Sequence, residues 1–255
     1  MRADAGASTS GAMRDTPNPL LAVLIDADNI PARFAEAILK EITSYGEPAL
    51  RRVYGDWAAS RLQPWAKKVH SLGLVAHQET ANTKGKNASD IGLVIDAMDL
   101  LHTGRFDGFV LVSSDSDFTA LANRIREQGM DVIGIGEGKT PESLRNVCSR
   151  FVMIENIVED DAEPAETRAK GQPAKKSAAK RPPIEAQPLI LRAMGKIDQD
   201  GEWYQLGLLG QTIQADARDF DTRTYGKAKL SDLIRDLKLF ETKREGNHIY
   251  VRRLD

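Results

Sequence analysis

At 255 residues with a formal net charge of -2, the chain has room for one ordinary domain and a smaller one, and its bulk charge gives no reason for attraction to nucleic acid or an anionic membrane. Cys148 is the single cysteine, which excludes an internal disulfide, and with only 4 histidines a structural zinc site is not expected. A reducing, cytoplasmic setting fits this composition.

Residues 1–19, MRADAGASTSGAMRDTPNP, are small and polar with no apolar central run, so they read as a disordered tail and not as a secretory signal. No segment approaches the roughly 18 apolar residues of a membrane helix, and a protein without membrane attachment is expected. From Leu20 short apolar runs alternate with helical ones: LLAVLI, PARFAEAILKEITSYG, ALRRVYGDW, RLQPWAKKVHSLG and LVAHQ. The series continues with SDIGLVIDAMDLLHTG, FDGFVLVSS, DFTALANRIREQG, DVIGIG, PESLRNVCS and FVMI. Strands and helices in this alternation predict a parallel sheet covered on both faces, a three-layer α/β domain over residues 20–155.

Residues 156–185 change to proline, alanine and mixed charge with almost nothing to bury, and read as a flexible linker. Order resumes over residues 186–255. Three helices are predicted near 187–197, 204–214 and 228–237, followed by strands LFETKRE and HIYVRR joined at Gly246 and Asn247. This pattern suggests a small winged-helix-like α+β domain.

The chemistry-bearing positions lie at strand ends. VLIDADNI runs apolar residues straight into Asp26, Asp28 and Asn29, and VLVSSDSDF repeats the pattern with Asp115 and Asp117. In a parallel sheet both groups are offered to the edge where ligands bind, outside the carboxyl ends of the strands. Asp90 opens the intervening helix after a polar loop, and Ile91, Val94, Ile95 and Met98 are expected to form that helix's buried face. Carboxylates brought together raise one another's pKa unless a hard cation neutralises them. Mg2+ or Mn2+ is the natural occupant and suits phosphodiester hydrolysis, with Asn29 orienting a water or a carboxylate. Each aspartate alone fits a helix cap or first-turn acid equally well, worth about 1 kcal/mol. The set of three helix mouths on one sheet edge favours the metal.

Other features are weaker. Lys84 and Lys86, before Asp90, and Arg51 and Arg52, on the second strand, offer guidance to a polyanion, with Lys86 closest to Asp90. GIGEGKT, residues 134–140, lacks P-loop spacing and reads as a turn with flexible glycines. Cys148 reads as a core residue, Asp96 as a second-tier acid turned off the face of Asp90, and His77 as a residue near the site edge or a cap.

Taken in order, VLIDADNI, KGKNASDIGLVIDAMDLL and LVSSDSDFTALANRIREQGMDVIGIG resemble the NYN domain of the PIN-like nuclease superfamily, in its LabA-like branch. TPESLRNVCSRFVMI is similar to that family's closing helix and strand. The resemblance covers about residues 20–155 and implies a metal-dependent ribonuclease with Asp26, Asp90, Asp115 and Asp117 as its acids, cutting RNA to leave a 5′-phosphate. Single-stranded RNA is favoured as substrate. Ser114 stands where many members have glycine, which brings a hydroxyl to the site. RDFDTRTYGKAKLSDLIRDLKLFETKREGNHIYV resembles the OST-HTH, or LOTUS, domain over about residues 186–253, which implies binding of RNA or a protein partner. Lys243, Arg244, Arg252 and Arg253 of its hairpin are the residues suited to phosphate. Two other functions stay open on the residues: a non-catalytic RNA-associated regulator, and a haloacid-dehalogenase-like phosphatase, which LIDADN also resembles although Asn29 replaces the usual threonine or valine.

Overall fold

The computed structural model describes residues 18–78, 88–160, 180–199 and 201–254. Six parallel strands form the larger sheet: β1 (Leu20–Asp26), β2 (Glu47–Gly55), β3 (Val75–Gln78), β4 (Gly108–Val112), β5 (Asp131–Gly136) and β6 (Arg150–Met153). Their order is β3-β2-β1-β4-β5-β6. The centre reads as near-continuous apolar sequence because both faces are covered. In β1, Leu21, Val23 and Ile25 point into one core while Ala22 and Leu24 point into the other.

Helices α1 (Ala35–Ile42), α2 (Gln63–Ser71) and α6 (Ile154–Asp160) cover the first face through Ile38, Ile42, Trp65 and Ile157. Helices α3 (Ala88–His102), α4 (Thr119–Glu127) and α5 (Glu142–Val147) cover the second through Leu93, Ala97, Leu121, Ile125 and Leu144. This is the expected three-layer α/β domain. One detail of α3 differs. Leu93, Ala97, Leu100 and Leu101 form its buried stripe, with Val94 and Met98 beside it, whereas Ile91 and Ile95 are 60% and 58% exposed. Positions 91, 94, 95 and 98 and positions 93, 97, 100 and 101 both keep the helical repeat, and the second set is the one that faces the sheet. Asp90, three residues before Leu93, sits at the head of the buried stripe, which is what carries it to the sheet. Among the described residues no helix is long and apolar enough to cross a membrane.

The sheet order reverses direction between β1 and β4, so a crevice opens where their following loops part. Asp26 ends β1, and the segment from Ser113 to Asp117 follows β4. Glycine at 134 lets the opposite border pack closely. A Cβ there would lie 2.5 Å from the Phe151 ring and 2.7 Å from Cys148 Sγ. Gly134 is thus a close-packing position at the border, where the sequence pattern suggests a flexible one. The turn itself is as expected: the Gly138 N–H donates to both carboxylate oxygens of Glu155, each at 2.9 Å.

The smaller domain contains α7 (Gln187–Lys196), α8 (Leu206–Asp216) and α9 (Leu230–Asp236) around Ile190, Leu209, Ile213, Leu233 and Ile234. The expected hairpin is β8 (Phe240–Glu245) with β9 (His248–Arg253). A further strand, β7 (Tyr204–Gln205), pairs with the other side of β9. The helix expected to open at 204 therefore starts two residues later, because Tyr204 and Gln205 pair with Val251 and Tyr250.

The segment expected to be linker is ordered at both ends. Helix α6 extends to Asp160, and a 3-10 turn spans Pro183–Ala186; residues 161–179 lie outside the described residues, as does the tail before residue 18. The two domains touch. Strand β6 is the border of the sheet, and the Phe151 N–H on its outer side donates to the Arg218 carbonyl at 2.9 Å. A loop of the small domain therefore satisfies a backbone group that an open sheet edge leaves unpaired. Arg145 reaches Asp219 at 2.6 Å, Asn156 Nδ2 donates to Thr224 Oγ1 at 2.9 Å, and Arg223 forks onto Glu41 at 2.8 and 2.9 Å.

Candidate active site

Asp26 is the fixed point of the crevice. It is 3% exposed, and Oδ1 accepts the backbone N–H groups of Asp28 at 3.1 Å and Asn29 at 3.2 Å. The Ser113 hydroxyl donates to Oδ2 at 2.9 Å. Burial pushes Asp26 up to about 7, and the charges of Asp90 and Asp28 add to that rise against the hydrogen bonds from Ser113 and the Asn29 backbone. A sharp turn after β1 fixes these donors: the Ile30 N–H returns to the Asp26 carbonyl at 3.0 Å.

The β4 loop is tied to the β1 loop at a second point. Asn29 Oδ1 accepts the Ser114 N–H at 2.9 Å, so Asn29 holds the two strand ends in register. Ser113 Oγ also accepts the Asp115 N–H at 3.1 Å, and Asp115 Oδ1 accepts the Asp117 N–H at 2.9 Å. Asp115 therefore does cap the 3-10 turn Ser116–Phe118 while its second oxygen is not used in that bond. Ser114 Oγ accepts the Glu137 N–H at 2.8 Å, which spends the hydroxyl on the β5 loop. Asp90, half-buried at the third residue of α3, is raised by burial first and then by the charges of Asp115, Asp28 and Asp117. Asp90 thus lies within electrostatic reach of Asp26 on one side and of Asp115, Asp28 and Asp117 on the other.

Among the described residues no lysine or arginine is ion-paired with Asp26, Asp90 or Asp115. Buried and half-buried carboxylate oxygens that repel one another are the donor chemistry of a hard divalent cation. Their spacing is looser than a closed ligand shell, since no group of three or more His, Cys, Asp or Glu is gathered closely enough among the described residues to hold an ion. The donor types fit the metal.

The remaining candidates fall elsewhere. Asp28 is bound on both oxygens, by Arg61 at 2.9 Å and by the Ser89 hydroxyl at 2.7 Å. Asp96 pairs with Arg52 and accepts from the Tyr54 hydroxyl, so both Asp96 and Arg52 are spent on joining α3 to β2. Arg51 donates to the Leu72 carbonyl at 3.4 Å. The His77 ring packs against Tyr54 with centroids 5.2 Å apart. Cys148 is fully buried, its thiol pushed up to about 12 by that burial, which fits a core residue. Lys84 and Lys86 lie outside the described residues. On the small domain Lys243 lies 4.3 Å over the Trp203 ring and pairs with Glu245, Arg244 donates to the Gly246 carbonyl, and Arg252 pairs with Glu202 and Glu241. Much of the hairpin's positive charge is therefore balanced locally.

Three contributors are not singled out by the sequence pattern. Ser113, Ser89 and Arg61 all touch the acids, yet each is an ordinary residue in an ordinary place. Ser113 alone carries a signal: it immediately follows the last buried residue of β4 and faces the end of β1.

The NYN domain family matches residues 20–155, and the OST-HTH/LOTUS domain family matches residues 182–251. No curated protein matches the chain. Among solved structures, a protein of unknown function from Vibrio parahaemolyticus is 20% identical with a TM-score of 0.47, covering 56% of this chain and 96% of that one. An uncharacterized protein from Nitrosomonas europaea is 26% identical with a TM-score of 0.26, covering 36% of this chain and 93% of that one. MurG of Acinetobacter baumannii is 14% identical with a TM-score of 0.37, covering 85% of this chain and 69% of that one. None of the three bears on function.

Proposed function

The chain belongs to the NYN domain family, a nuclease-type family, and we propose that its crevice hydrolyses phosphodiester bonds of RNA with the help of Mg2+ or Mn2+. The observation that supports this reading is that Asp90 stands within electrostatic reach of Asp26, Asp115 and Asp117 beside the reversal point of the sheet, where burial and neighbouring charge raise Asp26 and Asp90 and no described cation pairs with Asp26, Asp90 or Asp115. Nothing in the core requires acids there, and the arrangement costs stability in the absence of a counter-charge.

In this proposal Asp26, Asp90, Asp115 and Asp117 hold the cation. When bound, it supplies polarisation of a phosphoryl oxygen and a nucleophilic water at neutral pH. The chain's own contribution is orientation. Ser113 and the β1 turn hold Asp26 by its two oxygens, Asn29 positions the β4 loop, and the Asp117 N–H sets one oxygen of Asp115. The OST-HTH domain, whose family match spans residues 182–251, supplies RNA contact beside the catalytic domain, docked against β6 instead of tethered at a distance.

The test is cleavage of an end-labelled single-stranded RNA by the full chain with Mg2+, Mn2+ or EDTA, with a phosphate monoester as second substrate. Metal-dependent cutting that falls at least about a hundredfold in Asp115→Asn is expected, the scale of removing one transition-state electrostatic interaction. Hydrolysis of the monoester alone would replace the nuclease with a phosphatase. RNA binding without either reaction would leave the protein a binder.

A further inference from the structure

Beside the acids, between the β1 loop and the start of α2, lies a groove of about 390 Å3. Its size is within the range of ligand pockets, roughly 300–1,000 Å3, and suits a nucleotide of a single strand better than a duplex. Ile30, Leu62 and Trp65 form an apolar floor, each no more than 2% exposed. The indole N–H of Trp65 donates to the Ile30 carbonyl at 2.7 Å, which locks the floor to the β1 loop. Asn29 and Asp28 line the side toward the crevice, and Arg33 and Arg61 line the rims.

The two arginines are held at the lip by the fold. Arg61 contacts Asp28 through one nitrogen at 2.9 Å and is 60% exposed otherwise, so its remaining donors face solvent. Asp28 is in turn fastened by Ser89, the neighbour of Asp90, which links Arg61 mechanically to the acid mouth. Gly55 permits this seat: a Cβ there would meet Leu62 Cδ1 at 2.5 Å, so the residue after Arg61 packs directly on the end of β2. Arg33 is exposed and lies 4.3 Å over the Phe34 ring, which supports its guanidinium at the other rim. An acidic mouth repels a polyanion. Cations on an adjoining rim offset that repulsion, and a planar guanidinium fork suits phosphate.

We propose that this groove carries the single strand of RNA running into the crevice, with Arg61 and Arg33 contacting its phosphates and the half-buried Pro31 and exposed Pro64, which line it above the buried floor, contacting a base or ribose. The assignment rests on the nuclease reading for what happens next door, but RNA binding tests it independently of cleavage. The full chain is titrated in EDTA with a fluorescein-labelled single-stranded RNA, read by anisotropy across a range of salt. Arg61→Ala and Arg33→Ala are each expected to weaken binding roughly tenfold, the scale of one charged hydrogen bond. The slope of log affinity against log salt should shrink by about 0.7 for each phosphate no longer neutralised. Arg61→Lys should fall between wild type and alanine, while Lys67→Ala, exposed on the outer side of α2, should change neither quantity. Thermal denaturation of Arg61→Ala should match wild type, because an exposed ion pair contributes little to stability.

Unchanged affinity and slope in both arginine variants would give the groove to another occupant and overturn the proposal. So would an equal weakening in Lys67→Ala, or no RNA binding by the wild-type chain. If binding depends on Arg61 and Arg33 but RNA is never cut with Mg2+ or Mn2+, the groove stands and the nuclease falls. Cutting with no such dependence sinks the groove alone.

Discussion

The crevice of the α/β domain and its β6 border both gather charged side chains, and they treat them in opposite ways. At the border the acids Glu41, Asp219 and Asp221 each pair with an arginine. Glu41 receives both arms of the Arg223 fork and the Tyr45 hydroxyl at 2.7 Å; burial works against its charged form, but the hydrogen bonds and charge of Arg223 overcome that and hold the carboxyl below its usual range. At the crevice burial acts the same way on Asp26, with one serine hydroxyl and two backbone N–H groups to oppose it, and the carboxyl ends up at about 7. The same physical cost is met at one place and left standing at the other. A paired network serves the fold, whereas acids left to repel one another are what the proposed cation would neutralise.

Breaking the border gives the largest expected effect on stability. Arg223→Ala leaves Glu41 and Asp221 facing each other at an interface where Glu41 is 13% and Asp221 9% exposed, and should cost about 3 kcal/mol. In denaturation the small domain should then melt in a separate, earlier step, because its contact with β6 no longer couples the two units. If the crevice is the proposed nuclease, cleavage at saturating RNA should keep its rate, since Arg223 touches Glu41 and Asp221 and none of the crevice acids. A single unshifted transition in Arg223→Ala would show that the ion pairs contribute little and that the domains are coupled by other contacts.

The converse change at the crevice should stabilise. The unfolded chain releases the Asp26 proton near its ordinary value of 3.8, while the folded chain holds it until about 7. Stability from this group is therefore greatest below the unfolded value and falls as pH rises through that window. Glu41 has the opposite sign: its contribution is present above its ordinary value of 4.5 and is lost as pH drops through the lowered folded value. Asp26→Asn in EDTA should raise stability by about 1–2 kcal/mol near pH 8 and by much less near pH 4. Melting temperatures at the two pH values decide it. A uniform gain, or a decrease, would mean that the carboxylate is better compensated than its surroundings indicate.

These contrasts explain what the sequence could and could not tell. The alternation of apolar runs and helices makes the α/β class legible, and Asp26, Asp115 and Asp90 are visible as acids at element ends because polarity there interrupts a buried pattern. Period alone mislocates the buried face of α3, where Ile91 and Ile95 are as apolar as Leu93 but point outward. Pairing between distant segments is not written in local pattern at all. Nothing near Arg223 announces Glu41, 182 residues away, and the place of Ser113 at the end of β4 signals a site-edge position without naming Asp26 as the acid that its hydroxyl meets. Linker-like composition also misleads at 156–160 and 180–185, since a few contacts such as Asn156 with Thr224 are enough to order polar sequence.

Ser113 gives the finest probe of the crevice. Its hydroxyl donates to the charged form of Asp26 and so works against burial; removing it must move the Asp26 carboxyl further up. One hydrogen bond to a buried charge, roughly 1 kcal/mol net, corresponds to about half to one pH unit. If cleavage requires ionised Asp26, the acid limb of the pH–rate profile in Ser113→Ala should shift upward by that amount, with the rate recovering at higher pH. Ser113→Thr, which keeps the donor, should stay near wild type. A rate decrease in Ser113→Ala that is equal at all pH values would instead assign the serine to holding the Asp115 N–H at 3.1 Å, and the titrating acid would have to be sought in Asp90.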